Sequence, residues 1–99
     1  MTKAAVKYED TLKEDLQDPL EAALYLNAAL EDGSPEVFLL ALKDVAQAKG
    51  IAEIARATNL NRENLYRILS HKGNPKLKSL SSVLHSVGLK LSVEVAHHM

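Results

Sequence analysis

Cysteine and tryptophan are absent from these 99 residues, and phenylalanine occurs once, at Phe38. Without cysteine there is neither a disulfide framework nor a thiolate metal site. Tyr8, Tyr25 and Tyr66 complete the aromatic set. The core therefore has to be built from leucine, valine, isoleucine and alanine, a composition suited to small helices packed together. Long apolar runs are also missing. The longest spans Val37 to Leu42, and no basic start leads into an apolar stretch, so neither a membrane span nor a signal peptide is expected. An apolar share of 46% with 25% charged residues leads to the expectation of a soluble, cytoplasmic chain with one modest core.

Charge balance is missing too, once the chain is halved. Residues 1–49 hold five lysines and no arginine against ten acids, a net of −5, and residues 50–99 hold four lysines and three arginines against three acids, a net of +4. Between Arg56 and Lys90 there are seven basic residues and one acid, Glu63. A basic face supplies the sequence-independent attraction to phosphate that DNA binding needs. Clustered, solvated surface charges give the same count, so charge alone does not decide between the two.

What is present is helix punctuation. Residues 1–18 are polar, with Leu12 and Leu16 spaced for a short helix at best. Asp18-Pro19 and Ser34-Pro35 each pair an N-capping side chain with proline at the first helical position. The first starts a helix over 19–31, with Leu20, Leu24 and Tyr25 on its apolar face and Asp32-Gly33 ending it. The second starts a helix so apolar, from Val37 to Ala46, that it should be the central buried one, stopped by Gly50. A helix over 51–58 follows, then the turn Asn59-Leu60-Asn61, then a helix from Arg62 to Ser70 capped by Asn61. After the loop Lys72-Gly73-Asn74-Pro75, a last helix carries Leu77, Leu80, Val83, Leu84 and Val87 at helical spacing, with Gly88 at its C-cap.

The period then changes. Leu89, Leu91, Val93 and Val95 alternate with polar or small residues, which predicts a strand over 89–96. A lone strand needs a mate. The candidates are the N-terminal stretch, where Val6 and Tyr8 also alternate, and the same strand of a second subunit. The second is favoured because it also makes a symmetric homodimer. The chain thus divides into an acidic segment, 1–33, with one amphipathic helix, and a helix-turn-helix domain, 34–99, ending in the strand.

The stretch from Ile54 to Ser70 meets the size requirements of two short helices crossing at roughly 90 to 120°. Ala55 is the small residue facing the second helix, beside apolar Ile54. Asn59 tolerates the positive φ of the turn, and Leu60 plugs it. Leu65 and Ile68, assisted by Leu69, supply the buried positions of the second helix. Its outward face then carries Arg62, Glu63, Tyr66, Arg67 and Ser70. Arginine pairs bidentately with guanine, and Glu63 can accept from cytosine N4. Asn61 and Asn64 are placed for phosphate, with Lys72, Lys76 and Lys78 flanking the docked helix. The competing reading is a solvated helix face whose ion pairs contribute little.

The segment IAEIARATNLNRENLYRILSHKGNPKLKSLSSVLHSVGLKLSV resembles the Cro and phage-repressor class of helix-turn-helix domain. Together with the upstream DPLEAALYLNAALEDGSPEVFLLALKDVAQAKG, it is similar to a narrower group, the HigA-like addiction-module antidote proteins. These are bacterial antitoxins encoded beside a small toxin of the RelE/ParE superfamily. The resemblance covers about residues 9 to 96, and its distinctive pieces are YLNAALEDG, FLLALKDVAQAKG, NRENLYRILS and GNP. It implies an all-α, five- to six-helix Cro/repressor-like fold with the short C-terminal strand. It implies base reading by Arg62, Glu63, Arg67, Tyr66 and Ser70, and phosphate contacts by Asn61 and Asn64, on a double-stranded DNA operator. Two positions depart from the class. Ile51 stands where many members have a phosphate-binding glutamine, which removes one phosphate contact, and Asn59 replaces the usual turn glycine.

The resemblance also implies neutralisation of a small basic toxin. An acidic N-terminal half suits such a partner, and its candidates are Asp10, Glu14, Asp15 and Asp18 with Leu12, Leu16 and Leu20 between them. An enzyme has little support. His71, His85, His97 and His98 have no carboxylate at metal-ligand helical spacing, no glycine-rich phosphate loop exists, and no cofactor is expected. The alternatives are a stand-alone prophage-type repressor with no toxin partner, and a helical adaptor whose motif does not touch DNA.

Overall fold

The computed structural model describes residues 11–70 and 74–96, which form six helices and, among the described residues, no strand. These are α1 (11–15), α2 (Pro19–Asp32), α3 (Pro35–Lys49), α4 (Ile51–Thr58), α5 (Arg62–Ile68) and α6 (Leu77–Ser86). The starts follow the capping chemistry. The backbone N–H of Leu20 donates to Asp18 Oδ1 at 3.1 Å, and that of Val37 donates to Ser34 Oγ at 3.4 Å. Each cap satisfies one of the donors that a helix start leaves without an internal partner.

α3 is the central element. Leu42, Val45 and Ala46 are fully buried, and Leu39, Ala41 and Ala48 nearly so. Its burial is one-sided, however, since Leu40 remains 53% exposed. α2 packs along α3 as an antiparallel hairpin partner, and the contact is pinned where the Tyr25 hydroxyl donates to Asp44 Oδ2 at 2.7 Å. Residues on both sides of residue 33 share one core, which runs from Leu16, Ala22 and Leu26 through α3 to Ile54, Leu65, Leu69 and Val83.

The face of α2 differs from the expected one. Ala22, Leu26 and Ala29 point into the core, whereas Leu20 and Leu24 are 68% and 57% exposed. Tyr25, the third residue expected on the apolar face, does pack against the core. Residues 22, 26 and 29 form a helical stripe as regular as the leucine pair. Small alanines on that stripe let the two helix axes approach closely, and the leucines are left on the other side.

Gly50 makes the corner between α3 and α4. Its N–H donates to Ala46 O at 2.9 Å while its carbonyl accepts from the N–H of Ile54 at 3.0 Å, so one residue ends a helix and starts the next. It does so at φ 115° and ψ 115°, a conformation that a side chain disfavours. The corner after α4 is turned by Asn59 at φ 61° and ψ 29°, with the Leu60 N–H donating to Ala55 O at 3.1 Å. Leu65 of α5 and Leu69, which caps its C-terminal end, are fully buried. Ile68 is only half-buried, so the deeper second contact is made by Leu69.

The expected strand over 89–96 is not formed. Gly88, at φ 85°, and Leu89 instead complete a helix-ending motif on α6, with their N–H groups donating to His85 O at 3.0 Å and Leu84 O at 2.8 Å. Such a motif uses the donors with which a strand would have to begin. Leu89 packs on the core, and Leu91 shares a hollow with Leu30, Phe38 and Leu80. Val93 and Val95 are 98% and 81% exposed. The alternation is real, but within one chain the described residues give it no mate; Val6 and Tyr8 lie outside them.

Gly50→Ala should lower stability by about 1–3 kcal/mol, because the backbone is strained for a residue with a Cβ. Space is not the obstacle, since an added Cβ would meet nothing closer than Glu53 Cβ at 3.9 Å. A reduced urea midpoint with an unchanged slope is the expected reading.

Candidate nucleic-acid interface

α5 is held by its buried side and its cap. Leu65 and Leu69 anchor it, and the Asn64 N–H donates to Asn61 Oδ1 at 2.8 Å. Asn61 at φ −80° and ψ 164° has the extended backbone of an N-cap, three residues before the amide it satisfies. Its carbonyl oxygen is thereby committed to the helix, which leaves the amide nitrogen as the end that can meet another group.

With that side fixed, helical geometry sets the other. Arg62, Glu63, Tyr66 and Arg67 are exposed, and Ser70 is half-buried just past the helix end. Glu63 and Arg67, one turn apart, are neighbours on the surface opposite Leu65. Asn64 lies on the flank and is half-buried. It shares a groove of about 400 Å³ with Arg67, Asn74, Lys76 and Ser79. This groove runs between α5 and the start of α6, and it gathers three expected residues, Asn64, Arg67 and Lys76. Asn74 and Ser79 are additions that sequence reasoning missed. Their signals were the Gly73-Asn74-Pro75 loop and the position of Ser79 three residues beyond Lys76. Lys78 is exposed but does not line the groove, and Lys72 lies outside the described residues.

This surface has the components of a phosphate-tracking face. Two guanidinium groups and a lysine stand beside amide and hydroxyl groups that can donate to phosphate oxygens. Tyr66 adds an exposed ring. Glu63 is the sole acid between Arg56 and Lys90.

The residues expected to meet a toxin are arranged differently from a surface stripe. Leu16 is buried and Leu12 packs against the core. Gln17 Nε2 donates to Ala48 O at 3.0 Å, tying the link between α1 and α2 to the last turn of α3. Glu14, Asp15, Asp18 and Leu20 are exposed, with Asp18 engaged as the α2 cap; Asp10 lies outside the described residues. Among the described residues, no helix is long and apolar enough to cross a membrane, and no group of three or more acidic or histidine side chains could hold a metal ion.

The chain belongs to a defined family, whose model matches residues 7–95 and is described as that of a probable addiction module antidote protein. That family implies an antitoxin role in an addiction module, and with it a toxin partner. An uncharacterized protein of Haemophilus influenzae is 37% identical over 81 residues, which cover 82% of this chain and 84% of that one. No solved structure matches the chain.

Asn61→Ala should cost about 1 kcal/mol of stability through loss of the α5 cap, whereas Asn61→Asp keeps the acceptor and should cost much less. Urea unfolding of the two variants side by side reads the difference.

Proposed function

We propose that this protein is the antitoxin of a type II toxin-antitoxin module with two binding activities and no catalytic one. In this reading α4, the Asn59 turn and α5 form a Cro-like helix-turn-helix of the HigA kind. α5 enters the major groove of a palindromic operator in the protein's own promoter. Arg62, Glu63, Tyr66, Arg67 and Ser70 read base edges, while Asn61, Asn64, Lys72, Lys76 and Lys78 hold phosphates. The acidic half holds a small basic toxin of the RelE/ParE superfamily inactive by direct contact.

The family supports the antitoxin half of this reading. One observation supports the DNA half above the others. The exposed face of α5 continues into a groove where Arg67 and Lys76 stand with Asn64, Asn74 and Ser79. Base-reading and phosphate-holding groups then lie on adjoining surfaces, as docking of one helix in a major groove requires. A palindromic operator calls for a homodimer with half-sites about one helical turn apart. The apolar side chains of Val93 and Val95, left in solvent, are available for that association.

DNA from upstream of the gene, titrated in fluorescence anisotropy, tests the operator reading. Arg67→Ala should cost about 1–3 kcal/mol of binding and relax the sequence preference, whereas Lys76→Ala should weaken all sequences alike and reduce the salt slope by about 1. Both side chains are exposed, so stability should change by no more than about 0.5 kcal/mol. Wild-type protein without sequence preference at physiological salt would overturn the operator reading.

A further inference from the structure

Away from α5, the hairpin of α2 and α3 leaves another groove, of about 320 Å³. The buried alanines Ala29 and Ala41 form its floor, and Val37 and Leu40 its apolar wall. Leu40 is 53% exposed and Val37 39%, although they lie on the central helix of the core. Carboxylates bracket this wall. Asp32 stands at the turn between the helices, and Asp44 about two helical turns along, held by the Tyr25 hydroxyl at 2.7 Å. Glu21 extends the acidic rim, since residues 21, 25, 28 and 32 fall on one face of α2. α2 and α3 together carry five acids against two lysines, Lys43 and Lys49, and neither lysine lines the groove.

An alanine floor between two antiparallel helices lets a third helix seat closely, its ridge of side chains lying in the valley between them. The exposed wall asks that ridge to be apolar. The carboxylates at its ends ask for cations on the flanks, because desolvating them against anything else is costly. Both requirements are met by an amphipathic helix with apolar residues at i, i+3 and i+4 and lysine or arginine beside them. We propose that this groove is where the antitoxin seats a cationic amphipathic helix of its toxin. The proposal rests on the antitoxin reading above and gives it a location. It puts the contact on the α2–α3 hairpin rather than on the N-terminal stretch, whose leucines at 12 and 16 are already engaged by the core.

The test uses the full chain and the toxin encoded by the adjacent reading frame, co-expressed and then measured in equilibrium binding. Leu40→Lys puts a cation on the apolar wall, and Asp32→Lys reverses the rim. Leu24→Lys, at a leucine of α2 that is 57% exposed and does not line the groove, is the control. Each groove variant should weaken toxin binding by about tenfold or more, as charging a central contact residue does, and fail to restore growth. Melting temperature and operator binding should stay near wild type. Leu24→Lys should bind and rescue like wild type. Loss of binding on Leu20→Lys, with both groove variants binding like wild type, would overturn the groove and return the contact to the N-terminal stretch. A fall in the mass of the protein alone on Leu40→Lys would also overturn it, assigning the groove to a second copy. Wild-type protein that does not hold the toxin would remove the antitoxin reading itself, and the groove with it.

Discussion

The burial of one strip of α3 is the constraint to which every other element is fitted. Leu42, Val45 and Ala46 have no exposure to solvent, and the helices on either side are placed by how they cover them. α2 lays its alanine stripe along one flank. Gly50 turns the chain so that Ile54 of α4 enters from the other, and α4 in turn positions α5 and α6 through Leu65 and Val83. With so few aromatics, the contact depends on close approach rather than bulk. Removing one leucine from such a site costs about 2–5 kcal/mol, a large part of the roughly 5–15 kcal/mol that holds a domain together.

This arrangement joins two halves of opposite charge in one small chain. The −5 and +4 halves are not separate bodies, because their apolar residues meet in a single core. Arg62, Arg67 and Lys76 stand on or beside α5 and α6, and five acids stand on α2 and α3. The basic side rests on a capped turn and a buried leucine pair, which hold α5 with its arginines outward. The acidic side is built on the α2–α3 hairpin, where an alanine seam leaves leucine and valine uncovered. Each surface is therefore a consequence of what the core required from the opposite face of the same helix.

Much of this was legible in the residues. The starts at Asp18, Ser34 and Asn61 and the stops at Gly33, Gly50, Asn59 and Gly88 are local chemistry, and local chemistry is what a sequence displays. The outward face of α5 followed from Leu65 once the helix was placed. Two features were not legible because they depend on distant partners. The choice between the leucine pair and the alanine stripe of α2 was made by the fit to α3, and helical spacing permits both. The alternation after Gly88 has strand periodicity, yet pairing is non-local. The donor of Leu89 was taken by Leu84 O, and its side chain by the core. Asn74 and Ser79 were missed for a similar reason, since only the approach of α6 to α5 brings them beside Arg67.

In the proposed reading this chain restrains a toxin by holding it. The most direct measurement expresses the product of the adjacent reading frame alone and together with this protein, following growth and what is retained on purification. Arrest of growth by that product alone is expected, and recovery with both chains purifying together when this protein is present. A product that neither slows growth nor is retained would contradict it.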